Sequence, residues 1–355
     1  THEPAGIDKC DRVVFLARDG YLAFTGTPTD ARHYFDVADL AEVYDRLAGE
    51  HTPEIWAQRF AQRHAAHDFA SPVPARRSNI KTPSAFRQWS LLTRRNVDVL
   101  FRNRLTLAIL LGSPVLVTAM MATLFTRGTF DPQSAADVGP AQMAFWIAFD
   151  GFFFGLTYGL LQIVGEMAIF RRERLAGLSV GAYVASKVTA LLPVLAVVSA
   201  VLLGALRALG RLPAAGWGVY AVLFVTILVE ATSALALGLL ASAAVSNAAQ
   251  AALALPMLCF PQVLFGGAIV PVDEMATPGR LMSYGLANRH AFEALGRELD
   301  LDRYTPGLPA MSAYGHTFQG GTGASLAALA AFAAALTLAT AWVLRRRSRP
   351  GAAQR

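Results

Sequence analysis

Leu105–Phe125 reads LTLAILLGSPVLVTAMMATLF, twenty-one residues without a charge. A bilayer core of about 30 Å needs about 20 mostly apolar residues in a helix, so this stretch predicts a membrane span. Five more stretches read the same way: 143–164, 188–206, 219–240, 248–269 and 323–344. Pro114, Pro193, Pro256 and Pro261 fall inside them. Within a bundle such prolines kink helices without ending them, because neighbouring groups re-satisfy the freed backbone. The alanine-rich last stretch suits close helix contact in lipid. The predicted fold is therefore an all-α polytopic membrane domain of six transmembrane helices over 105–344.

Composition agrees. The chain has 355 residues, 54% hydrophobic and 16% charged, against about 25% charged in an average soluble domain. Its net charge of +6 sits beside the apolar blocks, which is a membrane-orientation pattern and excludes nucleic acid as the expected partner. Arg87, Arg94, Arg95, Arg102 and Arg104 precede the first span. Arg171, Arg172, Arg174 and Lys187 lie between the second and third, and Arg345, Arg346, Arg347 and Arg349 follow the sixth. Both termini are thus expected on the cytoplasmic side of the plasma membrane, with 345–355 a basic tail and 271–322 an external loop. Arg207 and Arg211, after the third span, run against the rule. The external loop reads as helical through Arg289, His290 and Glu298, then as irregular over the Pro/Gly-rich TPGLPAMSAYGHTFQGGTG. Cys10 and Cys259 form no metal-binding spacing, and no metal is expected.

Residues 1–104 read as soluble. Asp11–Gly26, DRVVFLARDGYLAFTG, predicts two short strands around an Asp19-Gly20 turn. Short helices are expected over Ala31–Phe35, Leu40–Leu47 and Pro53–Ala65, then a linker over 66–84. Residues 85–104 form an amphipathic helix, with Phe86, Trp89, Leu92 and Val97 expected on the membrane surface.

These segments, in this order, resemble the ABC transporter family, in its ABC-2 or G-type exporter branch. Thr1-His2-Glu3-Pro4 followed by CDRVVFLARDGYLAFTGTPTDARHYF is similar to the end of an ABC ATPase domain, so 1–65 is expected to be a small α/β remnant of that domain. The resemblance gives His2 the role of the switch histidine that senses the γ-phosphate. Residues 85–104 resemble the connecting helix. GEMAIFRRERLAGLSVGAY, Gly165–Tyr183, resembles the coupling helix, with Glu166, Arg171, Arg172, Glu173 and Arg174 as coupling residues. LCFPQVLFGGAIVP, Leu258–Pro271, resembles the end of the fifth span, which implies a gate at Ala268 and Ile269. ANRHAFEALGREL resembles the external helix before the last span.

The resemblance also implies a half-transporter acting as a homodimer, whose second and fifth spans line a central cavity. Phe145, Phe149, Phe152 and Phe153 are the expected lining, faced by Met257, Phe260 and Leu264; helix packing or contact with lipid is the alternative for each. ADLAEVYDRLAGEHTPEIWAQRF points to the mycobacterial type, in which forkhead-associated domains precede the ATPase. That implies export of a lipid or lipid-linked glycan under Ser/Thr-kinase control. The whole protein would use ATP and Mg²⁺. This chain carries no GxxxxGK[ST] loop, Walker B acid or LSGGQ-like signature, so alone it should neither bind nor hydrolyse ATP. Starting at Thr1, it reads as part of a longer protein.

Asp150 and Glu230 interrupt apolar spans. A charged side chain at mid-bilayer costs roughly 2.5–3.5 kcal/mol on insertion scales, which makes both functional candidates. The competing functions are a phosphorylation-regulated membrane scaffold and a lipid-modifying enzyme. The enzyme would have to draw on His290, Asp273 and Glu274, which no recognised spacing links.

Overall fold

A computed structural model describes residues 7, 10–49, 51–64, 83–131, 139–304 and 309–348. His2, most of the 66–84 linker and the end of the basic tail lie outside the described residues. The chain divides into two compact units, Thr1–Lys81 and Thr82–Arg355.

In the first unit, β1 (Val13–Leu16) and β2 (Leu22–Gly26) form an antiparallel hairpin. Asp19 and Gly20 take positive φ at its turn, the conformation for which Asp-Gly is suited. Helix α1 (Pro28–Phe35) starts at a capping box. The Thr27 side chain accepts from the Asp30 amide, and the Asp30 carboxylate accepts from the Thr27 amide. The Thr27 bonds hold the Asp30 carboxyl below its ordinary range. Helices α2 (Val43–Gly49) and α3 (Pro53–His64) close over the hairpin. Phe15, Phe24, Phe35 and Trp56 are the aromatic centre of a small core.

The second unit is helical. It runs α4 (Ala85–Arg102), α5 (Arg104–Leu124), α6 (Gly139–Leu160), α7 (Met167–Leu175), α8 (Val180–Ala208), α9 (Trp217–Ala244) and α10 (Ala248–Leu264). Helices α11 (Thr277–Tyr284), α12 (Ala287–Glu298) and α13 (Thr322–Arg347) follow. Five stretches are long and apolar enough to cross a membrane, those containing α5, α6, α8, α9 and α13. Helix α10 is a sixth apolar helix of 17 residues.

Two ends differ most from the sequence reading. Helix α8 begins at Val180, eight residues ahead of the predicted 188, because Lys187 is buried inside the helix against a carboxylate from outside it. Helix α10 stops at Leu264, short of 269. Gly267 takes φ of 93°, and a Cβ on Gly266 would fall 2.4 Å from the Gln262 carbonyl oxygen. The chain bends there, and two side chains hold the bend. Buried Gln262 accepts from the Asn288 amide at 3.0 Å, and Asn288 Nδ2 donates back to the Gln262 carbonyl at 3.2 Å.

Helices α6 and α9 form the axis of the unit. Gly151, Gly155 and Gly159 make a one-sided stripe on α6 at four-residue spacing, and Gly238 answers from α9. Small residues at this spacing let two backbones approach closely in lipid. Helix α4 packs along α8. Leu92 and Trp89 are used in that contact, whereas Phe86 stays exposed. The expected membrane-surface face is thus partly a packing face.

From Pro309 on, the described part of the 271–322 loop is more ordered than its composition suggested. Pro309–Tyr314 forms 3-10 turns, and Tyr314 and Phe318 pack against Phe292 of α12.

Candidate functional site: a bonded bracket and two cavities

The segment after α6 is built as a bracket. The chain leaves α6, makes a 3-10 turn over Val164–Glu166, forms α7 and turns back into α8. Ser242 of α9 fixes the entry: its hydroxyl accepts from the Ile163 and Val164 amides at 3.1 and 3.0 Å. Arg174 fixes the exit by donating to the Leu178 carbonyl at 2.6 Å. Phe170 is buried against Tyr183 and anchors α7 to α8.

Two ion pairs tie this bracket to its neighbours. Lys187 of α8 is 3% exposed, and its Nζ lies 2.7 Å from Glu166 Oε2. Arg95 of α4 reaches Glu173 of α7 at 2.6 Å. Around them, Gln88 Oε1 accepts from the Ser179 amide at 2.7 Å, Asn96 donates to Ser186 at 3.1 Å and Trp89 donates to Thr189 at 3.2 Å. Helix α4 is thereby fastened to both arms of the bracket. Of the predicted coupling residues, Glu166, Glu173 and Arg174 are engaged within the fold. Arg171 and Arg172 are exposed on α7.

The four phenylalanines of α6 divide. Phe145 and Phe152 are fully buried among the packed helices. Phe149 and Phe153 are half-buried and wall a groove of about 590 Å³ between α5 and α6. Asp150 lies in the same wall, and its Oδ2 has no hydrogen-bond partner among the described residues. Glu230 is 0% exposed on α9, beside Gly151, and neither of its carboxylate oxygens has such a partner.

Met257, Phe260 and Leu264 do not face this cluster within one chain. With Leu253 they form an apolar stripe on the outer face of α10, and Met257 is 74% exposed. Helix α10 packs inward through Ala254, Leu258 and Val263 instead.

The two gate candidates sit at the bend after α10. Ala268 is buried and Ile269 is 59% exposed. Together they wall a cavity of about 370 Å³ with Phe145, Trp146 and Tyr314. The Tyr314 hydroxyl donates to the Ala268 carbonyl at 2.9 Å, and burial raises its pKa above the ordinary tyrosine value. Tyr314 was not singled out from sequence; it is an aromatic within a Gly/Pro-rich run. Tyr314→Phe is expected to lower stability by about 1 kcal/mol, the worth of one hydrogen bond. Denaturation in detergent, read by tryptophan fluorescence, checks this.

The second unit is a bundle of apolar helices with a bracket bonded between its first helix and α8. Residues 87–296 match the family model described as ABC-2 type transporter, and the chain belongs to that family. It is also 28% identical over 330 residues to the ABC transporter ATP-binding/permease protein Rv1747 of Mycobacterium tuberculosis, covering 89% of this chain. The chain spans 38% of that relative's length.

Proposed function

We propose that this chain is the permease part of an ATP-driven exporter of the cytoplasmic membrane that works as a homodimer. The bonded bracket at Glu166 and Glu173 carries this reading. It joins α4, α7 and α8 into one unit and leaves Arg171 and Arg172 outward, as a surface that receives force from an ATPase requires. A simple anchor needs no such lock. The ATPase belongs to the same polypeptide, as the name of the mycobacterial relative describes for that protein. ATP and Mg²⁺ bind there, His2 reads the γ-phosphate, and both termini are cytoplasmic.

The outer stripe Leu253–Met257–Phe260–Leu264 supports the dimer. In a symmetric pair this face meets its own copy, and α6 and α10 enclose the transport path. An amphipathic lipid or lipid-linked glycan suits such an apolar, aromatic lining, with Ile269 as its outer constriction.

The test uses the full-length protein in lipid nanodiscs and proteoliposomes. Glu173→Gln cuts the ion pair to Arg95 while keeping the side chain's shape. ATP hydrolysis is expected to persist while lipid export per ATP falls about five-fold or more, the scale of one ordinary coupling energy. Unchanged export per ATP would remove the coupling role from this pair.

A further inference from the structure

We infer that the groove between the end of α8 and the start of α9 is a site for one anionic phospholipid, with its phosphate on Arg207 and an acyl chain laid over Gly204.

The placement follows from helix geometry. Arg207 lies twenty residues beyond Lys187 on α8. At 1.5 Å per residue that is about 30 Å, the thickness of the hydrocarbon core. Lys187 is held at one boundary by the coupling bracket, so Arg207 stands at the other, where lipid phosphates lie. Trp217 and Tyr220, at the start of α9, are the amphipathic aromatics of such a boundary.

The guanidinium is oriented but little used. Its Nη1 donates to the Ala215 carbonyl at 3.3 Å. Its carbon lies 4.4 Å from the centre of the Tyr220 ring and 5.7 Å from that of Trp217. Tyr220 is itself fixed by donating to the Pro213 carbonyl at 2.8 Å. A guanidinium offers five N–H donors in a planar fork that matches a phosphate. Among the described residues, no carboxylate pairs with Arg207. The neighbouring Arg211 is spent inside the fold, donating to the Ala122 carbonyl at 2.6 Å. Arg207 therefore keeps N–H donors for an anion at this end.

Below the guanidinium the surface is shaped for a chain. Ala200, Gly204 and Ala208 form a strip of small residues at four-residue spacing, and Leu203 and Phe224 also line the groove. It encloses about 510 Å³. A Cβ on Gly204 would meet nothing within 4 Å. An anion from solution needs the fork alone. A phospholipid uses the fork and the apolar trough together.

The experiment takes the full-length protein from nanodiscs of phosphatidylcholine containing a minor fraction of phosphatidylglycerol. The lipids retained after extraction are counted by native mass spectrometry. Wild type should retain one phosphatidylglycerol per chain in preference to phosphatidylcholine. Arg207→Gln should lose that preference by about tenfold, the scale of one charge-assisted hydrogen-bonded contact. Gly204→Leu fills the trough from an open position, folds normally and should lose the retained lipid with Arg207 in place. Equal retention in wild type and Gly204→Leu would overturn the site even if Arg207→Gln lowered binding, since charge attraction alone would then account for it. Equal retention in wild type and Arg207→Gln would overturn it from the other side.

Discussion

Replacing Gly155 by leucine is expected to prevent the membrane unit from assembling. A Cβ at this position would lie 2.1 Å from the Ala231 carbonyl oxygen and 2.8 Å from its carbon. These are backbone atoms of α9, so no rotamer change relieves the clash. The same holds along the seam: a Cβ on Gly159 would fall 2.6 Å from the Leu235 carbonyl oxygen, and one on Gly238 would fall 2.5 Å from that of Leu156. The helices must separate, and every neighbour packed on both must follow. Overpacking a tight core costs about 1–3 kcal/mol or more, and a backbone-to-backbone clash belongs at the upper end. Even Gly155→Ala should destabilise. Gly181→Leu, where a Cβ meets nothing within 4 Å, is the matched control. Size-exclusion profile and trypsin resistance in detergent check the series. A monodisperse, resistant Gly155→Leu protein would mean that α6 and α9 leave room for a side chain between them.

Glu166→Ala should damage the bracket more than loss of its partner does. The two members of the pair stand in unequal surroundings. The Glu166 side chain is about one-third exposed, whereas that of Lys187 is buried. Removing the acid strands an ammonium in the interior, beside the Tyr183 ring it already overlies at 5.7 Å. Breaking a buried pair from one side costs about 3–5 kcal/mol, while replacing both members with apolar groups is often neutral. Lys187→Met leaves a carboxylate that water can reach, so it should be the milder single change. The double variant Glu166→Ala/Lys187→Met should recover most of the stability lost in Glu166→Ala. Thermal unfolding of the four proteins in one detergent measures the order. Equal losses in the two single variants would show that Lys187 reaches water in the folded protein.

The apolar runs were legible in the sequence because length alone decides them. Leu105–Phe125 carries no charge, and α5 covers Arg104–Leu124. The start of α8 was not legible, because a hydropathy window counts Lys187 as a boundary. It has no means of knowing that Glu166, twenty-one residues back, sits against it. The direction of the α6 phenylalanines was hidden for a different reason. In a soluble helix the polar face reveals the buried one. In lipid both faces are apolar, so spacing groups Phe145, Phe149 and Phe152 without saying that Phe145 and Phe152 turn inward while Phe149 lines a groove. The outer stripe on α10 was hidden in the same way. Glu166 and Glu173 were legible as members of a family pattern; their partners Lys187 and Arg95 come from other helices and emerge only in the fold. Tyr314 lay in a run whose glycines and prolines pointed to irregular chain, and a lone aromatic gives no periodic signal.

The early stop of α10 has a mechanical consequence. Seventeen residues make a rod of about 25 Å, some 5 Å short of an average hydrocarbon core. The bilayer around this helix must thin, or the bend at Gly266–Gly267 must dip below the headgroups with its polar backbone tied to Asn288. The balance between these shifts with acyl-chain length, at fractions of a kcal/mol per Å of mismatch. Ala268 and Ile269 ride on that bend. The depth of these two residues in the bilayer would then follow membrane thickness, with no change in the protein.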